Sequence, residues 1–149
     1  MPPRVSARAL IQSEGNVLLV TYCDRAGDWY VLPGGGQTSG ETLHACLIRE
    51  VEEETSLTVH VGRLRWVREF IAADFPESDL DPDFHQIELI FECSIQPGQD
   101  AQIGTVPDRG QRGLCWLAIE ELLHVRFFPQ EIASILNNRR PDRSYLGAV

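Results

Sequence analysis

The stretch GGGQTSGETLHACLIREVEEETSL, residues 34–57, constrains the fold more than any other part of this chain. Three consecutive glycines follow a short β-rich run and precede an apolar run with helical spacing. Thr38 and Glu41 have the spacing of a capping box, which predicts a helix from about Ser39 to about Thr55. A strand, a glycine-rich connection and a helix are therefore expected in that order.

A helical wheel of about 100° per residue shows which side of this helix carries its acids. The apolar stripe lies within about 80° of Leu43 and is formed by Leu43, Cys46, Leu47 and Val51. Glu50, Glu53 and Glu54 continue that stripe, within about 80° of the same direction, whereas Glu52 points about 180° away. An amphipathic helix in solvent would place its acids opposite the apolar stripe, so three inward glutamates indicate a site rather than a solvated helix end.

Clustered carboxylates on one face repel one another, and partial burial raises that cost. Hard divalent cations are the natural counter-charge, and Mg²⁺ suits a site that also binds phosphate. Arg49 lies four residues before Glu53 and is expected to pair with it, or with Glu41. Gly34, Gly35 and Gly36 would let the backbone approach a ligand closely, although a simple strand-to-helix turn is the alternative interpretation.

The pattern of these residues resembles the Nudix box, G-x5-E-x7-R-E-U-x-E-E-x-G-U, in which U is a bulky aliphatic residue. The matching positions are Gly35, Glu41, Arg49, Glu50, Val51, Glu53, Glu54 and Leu57. One position departs, because Ser56 stands where the box has glycine. That glycine would end the helix at positive φ, so serine there should cost about 1 kcal/mol of local stability without removing a charge.

The order of strands and helices along the chain favours an α+β or mixed-sheet domain. The Nudix resemblance covers nearly the whole chain and implies an α/β/α sandwich around a mixed β-sheet, as a single domain over residues 1–149. The segment RRPDRSYLGAV, residues 139–149, is expected to be a frayed tail.

The resemblance also implies an activity: hydrolysis of the phosphoanhydride of a nucleoside diphosphate linked to another group, with Mg²⁺ or Mn²⁺ as cofactor. By position, Glu50, Glu53 and Glu54 would bind the metal, together with the carbonyl of Gly34. Glu53 is also a candidate general base. Arg49, Glu41 and Gly35 would position these groups.

Glu88 and Asp108 are candidates for an extra metal ligand or base outside the box, with a solvated surface acid as the alternative interpretation of each. Trp29 and Phe127 are candidates for stacking on a nucleobase, with core packing as the alternative. Arg4, Arg8, Arg65 and Arg68 are candidates for contacts with substrate phosphate, with an ordinary surface arginine as the alternative.

Composition excludes several other classes of protein. The net charge of −9 argues against non-specific binding to nucleic acid, which needs clustered basic residues. There is no apolar run of the roughly 20 residues that a membrane span requires, and the first residues lack a signal-peptide pattern, so a cytoplasmic location is expected. The four scattered cysteines are expected to be reduced core residues, and a homodimer is expected because two-fold dimers are the commonest oligomers.

A function without catalysis remains an alternative at this point. Some members of such a family bind or sense nucleotides without hydrolysing them, and their boxes are usually degenerate. Every charged position of this box is intact, which favours the enzyme.

Overall fold

The computed structural model describes residues 2–102 and 111–149. Its strands and helices are β1 Arg4–Ser13, β2 Asn16–Asp24, β3 Gly27–Val31, β4 Gly34–Gly36, α1 Leu43–Thr55, β5 Val59–Ile71, β6 His85–Ile95, β7 Gln111–Ala118, β8 Phe127–Phe128, α2 Gln130–Leu136 and β9 Tyr145–Ala148. Short 3-10 turns lie at Ala72–Asp74 and Ile119–Leu123.

The strands form a mixed sheet in the order β8-β3-β2-β1-β6-β5-β9, with β4 added to β1 and β7 added to β2. β1 and β2 form the expected hairpin, and β1 runs parallel to β6, with Arg4 beside Gln86. β5 is antiparallel to β6, and its register shifts between Val61 and Leu64. This irregularity lies at Gly62, where glycine commonly allows a bulge.

Two apolar clusters hold the helices against this sheet. The cluster under α1 contains Ala7, Ala9 and Ile11 of β1 with Cys46, Leu47 and Val51 of the helix. The cluster beside α2 contains Leu10, Trp66, Ile90, Phe127, Ile132 and Ala133. Because successive residues of a strand point to opposite faces, β1 supplies alternate side chains to the two clusters. The structure confirms an α+β sandwich with a mixed sheet.

The helix begins four residues later than the capping-box spacing indicates. The φ angle of Gly40 is +92°, and Thr42 is the N-cap, whose hydroxyl accepts the backbone N–H of Ala45 at 3.1 Å. The Glu41 carboxylate does accept the Thr38 N–H at 2.8 Å, as in a capping box, but this bond closes a turn before the helix. The predicted start at Ser39 is therefore wrong, and the reason is that Glu41 belongs to the loop.

The C-terminal segment is ordered, in contrast to the expected frayed tail. β9 pairs in parallel with β5, and the Arg68 guanidinium donates to the main-chain oxygen of Val149 at 2.5 Å. The indole N–H of Trp66 donates to Asp142 at 2.7 Å. Buried polar groups on β5 thus find their partners in this segment, which a propensity argument alone does not anticipate.

Candidate active site

The glutamates of α1 divide as the helical wheel predicts. Glu54 is fully buried and Glu50 is 9% exposed, whereas Glu52 lies on the solvent side. Glu53 is intermediate, with about a third of its side chain exposed (34%). It borders an open groove along α1 that is also lined by Ala45, Ile48, Arg49 and Glu52. One helix therefore presents two sheltered carboxylates and one that solvent reaches.

The three glycines form β4 rather than a loop or a simple strand-to-helix turn, and the absence of side chains lets the helix approach them. A Cβ atom at Gly35 would lie 2.5 Å from the carboxyl carbon of Glu50. At Gly34, whose φ is +144°, a Cβ atom would lie 2.1 Å from the carbonyl oxygen of Ala7. The Gly34 N–H donates to Glu54 Oε1 at 3.2 Å. Any side chain at Gly34 or Gly35 would push the acids or β1 away.

Arg49 connects these acids to the glycine strand through all five of its guanidinium N–H donors. It forms a two-pronged pair with Glu41, at 3.1 Å and 2.7 Å. It also donates to Glu50 at 2.9 Å, to Glu53 at 3.4 Å and to the carbonyl of Gly36 at 3.2 Å. Both pairings considered from the sequence, with Glu41 and with Glu53, are present together.

This pairing shifts the protonation of both partners. The Arg49 hydrogen bonds, followed by the Thr38 N–H, lower the pKa of Glu41 to about 2. The same pair raises the pKa of Arg49 above its ordinary value, first through Glu41 and then through Glu50. Glu41 and Arg49 are therefore both charged at neutral pH, and Glu41 acts as a fixed anchor for the guanidinium.

Ser56 takes the conformation that the box position demands. Its φ is +63°, in the left-handed region, and its N–H donates to the carbonyl of Glu52 at 3.0 Å as the C-cap of α1. Glycine adopts this conformation at the lowest cost, so the serine is tolerated with some strain.

The site offers carboxylate and carbonyl oxygens, which are the ligands that hard divalent cations prefer. The Glu50 and Glu54 carboxylates contact the glycine strand, and Arg49 pairs with Glu50 and with two further carboxylates, those of Glu41 and Glu53. In the side-chain conformations described, no three acidic, thiol or imidazole groups among residues 2–102 and 111–149 converge closely enough to hold a metal ion. Glu50 and Glu53 instead accept hydrogen bonds from Arg49.

The carbonyl of Gly34, expected from the resemblance to bind metal, accepts a hydrogen bond from Arg8 at 3.2 Å. Arg8 also donates to the carbonyl of Leu32 at 3.1 Å. A carbonyl oxygen has two lone pairs, so one remains for a cation. This contact was not predictable from local sequence patterns, because it depends on the pairing of β4 with β1.

Glu88, a candidate extra acid, lies in a different cluster. Burial alone would raise the pKa of Glu88, but Arg68 and Arg8 lower it to about 2. The distance from Arg68 Nε to the carboxylate is 2.6 Å and that from Arg8 Nε is 3.4 Å, and Gln86 also donates at 2.9 Å. The adjoining cavity holds only about 10 Å³, roughly the space of one water. These contacts favour a structural role for Glu88 over metal binding or proton transfer.

The remaining candidates have separate outcomes. Phe127 is fully buried in the cluster beside α2, so it has no free ring face and the prediction that it stacks on a base is wrong. Trp29 stacks on Tyr22 with ring centroids 4.6 Å apart and contacts Phe128 in a T-shaped arrangement at 6.3 Å, so its role in binding a base stays a prediction. Asp108 lies outside the described residues. All four cysteines are free thiols.

Comparison with known proteins adds independent information. The model of the NUDIX domain family matches residues 2–137. An ADP-ribose pyrophosphatase of Methanocaldococcus jannaschii is 29% identical over 98 residues, which are 65% of this chain and 54% of that protein. The NAD-capped RNA hydrolase NudC of Photobacterium profundum is 28% identical over 96 residues, 57% of this chain and 36% of that protein.

The fold is also similar to that of solved structures. A NUDIX hydrolase from Nitrosomonas europaea superposes with a TM-score of 0.72 at 18% identity, covering 100% of this chain and 80% of the other. The match to each of the two curated relatives spans about half of that protein's length or less. Among the described residues, no helix has both the length and the apolar character needed to span a membrane.

Proposed function

The chain belongs to the NUDIX domain family, and from that premise we propose that it hydrolyses the phosphoanhydride bond of a nucleoside diphosphate linked to another group. The observation that carries the proposal is the seating of the box glutamates against the glycine strand, with Arg49 joining Glu41, Glu50 and Glu53. The chemistry of the relatives supports the substrate class, since ADP-ribose and an NAD cap both contain a nucleoside diphosphate.

Mg²⁺ or Mn²⁺ is the proposed cofactor, held by Glu50, Glu53 and Glu54 with the carbonyl of Gly34. When bound, such a cation neutralises phosphate oxygens and lowers the pKa of a water molecule. The placing of three carboxylates within two turns of α1, beside the glycine strand, supports this assignment, because hard divalent cations prefer oxygen ligands.

The protein's own groups have distinct proposed tasks. Glu41 fixes Arg49, and Arg49 holds Glu50 and Glu53 in reach of the glycine strand. Glu53 reaches solvent, so it is the proposed acceptor of the proton from the attacking water. Glu54 accepts a hydrogen bond from the Gly34 N–H, and this bond fixes the position of its carboxylate relative to β4.

A substrate screen tests this proposal. Nucleoside diphosphate sugars, dinucleoside polyphosphates, ADP-ribose and dinucleotide cofactors are incubated with Mg²⁺ or Mn²⁺, and the released phosphate groups are quantified. Glu53→Gln and Glu54→Gln should lose turnover, whereas Glu52→Gln, the same change on the solvent side of the same helix, should retain it. If the wild type turns over none of these compounds with either metal, the hydrolase proposal fails. Tight binding without product would instead favour a nucleotide-sensing protein.

A further inference from the structure

The strand β7 pairs along only one of its edges in the described part of the chain. Its partner is β2, and the pairing runs from Ala118 beside Asn16 to Gln111 beside Tyr22. No other described strand joins β7, which branches from β2 and ends the sheet there. The outer edge of β7, the one away from β2, therefore presents main-chain N–H and C=O groups that can bond to a further strand.

This outer edge lacks the features that usually keep edge strands apart. β7 has 8 residues, whereas a typical strand has roughly five to six. Its run GLCWLA, residues 113–118, contains no charged residue and no proline. A shift in its register with β2 is confined to its first residues, beside Thr21 and Tyr22. Short length, charges and proline are common barriers to edge-to-edge pairing, so β7 is open to it.

Trp116 is the exposed apolar side chain of this strand. It lies beside Leu18 of β2, so it is on the side of the sheet that packs against α1. Leu18 and Leu114 on that side belong to the cluster under α1 or pack against it, whereas Trp116 is 37% exposed. A large aromatic ring at an open edge is a side chain that a cross-strand neighbour would cover.

Two residues of opposite charge flank the apolar run. Arg112 precedes it, and Glu120 follows it in the 3-10 turn Ile119–Leu123. Both side chains are exposed, and neither has an ion-pair partner among the residues that the structure describes. They are equally far from Trp116 along the sequence, so the segment is complementary in charge to its own reverse.

Two-fold symmetry selects one register for two copies of this edge. When a two-fold axis relates two antiparallel strands, one residue lies opposite its own copy. Placing Arg112 opposite Glu120 of the other copy puts Trp116 at that position, and no other antiparallel register does so. The two tryptophan rings then face each other, with an Arg112–Glu120 pair at each end.

We propose that the outer edge of β7 binds a second copy of this chain, in an antiparallel pair centred on Trp116. This gives the homodimer expected from the sequence a specific interface. Each copy contributes one strand, and small interfaces are typical of weak complexes, so the dimer should dissociate in the micromolar range. The net charge of −9 on each copy opposes association, which makes the Arg112–Glu120 contacts necessary. The interface is independent of the proposed hydrolysis.

Analytical ultracentrifugation from about 1 to 500 µM protein tests the association without any substrate. The mass should rise from the 16.8 kDa of one chain toward twice that value. Trp116→Ala should weaken the dimer about 10-fold or more, whereas Leu64→Ala, which removes an exposed apolar side chain from β5, should not weaken it. A monomer throughout this range would overturn the proposal, as would an equal dissociation constant for Trp116→Ala and the wild type.

Reversal of the flanking charges tests the pairing more sharply. Arg112→Glu and Glu120→Arg should each weaken the dimer about 10-fold, because each places like charges opposite each other at both ends. The double variant should recover the wild-type dissociation constant. Arg139→Glu makes the same change in net charge at another exposed arginine and should stay within about 2-fold of the wild type. A double variant as weak as either single one would overturn the pairing.

Cysteine crosslinking tests the register. Leu114 should lie opposite Ala118 of the other copy, so a mixture of Leu114→Cys and Ala118→Cys proteins should form a disulfide-linked dimer on oxidation. Neither protein alone should exceed the wild type, whose four free cysteines set the background. Circular dichroism and melting temperature verify that both variants are folded. Crosslinking by either variant alone, or none in the mixture, would overturn the pair centred on Trp116.

Discussion

The two clusters of carboxylates and guanidinium groups in this protein have opposite proportions. At the glycine strand Arg49 pairs with three glutamates and a fourth, Glu54, accepts the Gly34 N–H, whereas on the other face of the sheet one carboxylate, that of Glu88, lies between Arg8 and Arg68. Among the described residues, carboxylates therefore outnumber guanidinium groups in the first cluster, and guanidinium groups outnumber carboxylates in the second. Clustered carboxylates are typical of a cation site, whereas a buried carboxylate paired on two sides is typical of a structural contact.

The largest expected effect is a loss of activity when one carboxylate of the first cluster is removed and the protein stays folded. Glu54→Gln keeps an acceptor for the Gly34 N–H but removes a charge, so the proposed activity should fall about 100- to 1,000-fold. The free energy of unfolding measured without divalent cations should stay level or rise, because like-charge repulsion decreases. Rate assays and thermal melts with and without Mg²⁺ measure both effects, with Glu52→Gln as control. A loss of stability that matches the loss of activity would contradict the contrast.

The second cluster should respond in the opposite way. Glu88→Gln leaves the buried guanidinium group of Arg68 without its counter-charge, and we expect a loss of about 3 kcal/mol in the free energy of unfolding. The rate per folded molecule should change less than about 10-fold, since Glu88 is not part of the proposed chemistry. Urea unfolding and assays well below the melting temperature give the two numbers. A rate loss as large as that of Glu54→Gln would restore Glu88 as a reactive acid.

The pH dependence of the free energy of unfolding tests the structural role of the second cluster. The pKa of Glu88 in the folded protein is about 2, below the ordinary value of 4.5. Its stabilising contribution is therefore fully present above about pH 4.5 and is lost as pH falls toward 2. Unfolding free energies measured between pH 6 and pH 3 should fall more steeply for the wild type than for Glu88→Gln. Parallel slopes would show that Glu88 is not the titrating group.

A smaller effect is expected when the shape of the first cluster changes but its charge does not. Arg49→Lys cannot reproduce five donors in one plane, so Glu50 and Glu53 should lose their fixed positions. We expect kcat/KM to fall about 30-fold, with net charge unchanged. An unaltered rate would mean that charge alone, rather than the fork of hydrogen bonds, organises the site.

The smallest expected effect concerns the end of α1. Ser56→Gly removes the strain of a residue other than glycine in the left-handed conformation. We expect the free energy of unfolding to rise by about 0.5–1 kcal/mol, with an unchanged rate. Paired denaturation curves of the two proteins are sufficient to measure it. A drop in activity would show that the strained end of the helix positions Glu53 or Glu54.

The sequence allowed good prediction of what depends on local spacing. The wheel places Glu50 and Glu54 inward and Glu52 outward, and the box predicts positive φ at Ser56, all as observed. Contacts that depend on strand pairing were not predictable in this way. Glu88 acquires its two arginines only because β1 and β5 both pair with β6, a register that periodicity does not encode.

Two residues, Glu41 and Phe127, each had two roles that the sequence allowed, and the structure shows the other one. Glu41 satisfies the spacing of a helix cap, yet in the structure it serves the preceding turn and Arg49, so the helix starts later. Phe127 was a candidate for base stacking with core packing as the alternative, and beside its pairing with Tyr30 of β3 the ring lies in the core. Both outcomes are decided by tertiary contacts.

The parallel pairing of β1 with β6 has a consequence for how the protein folds. It joins Arg4 to Gln86, so a long stretch of chain must close before β1 is held on that side, and such non-local pairings slow folding. Among the strands of the described residues, the glycine strand β4 pairs with β1 alone. The candidate active site should therefore be completed late, after the sheet on which it rests, and a nascent chain would carry all the box residues well before it could use them.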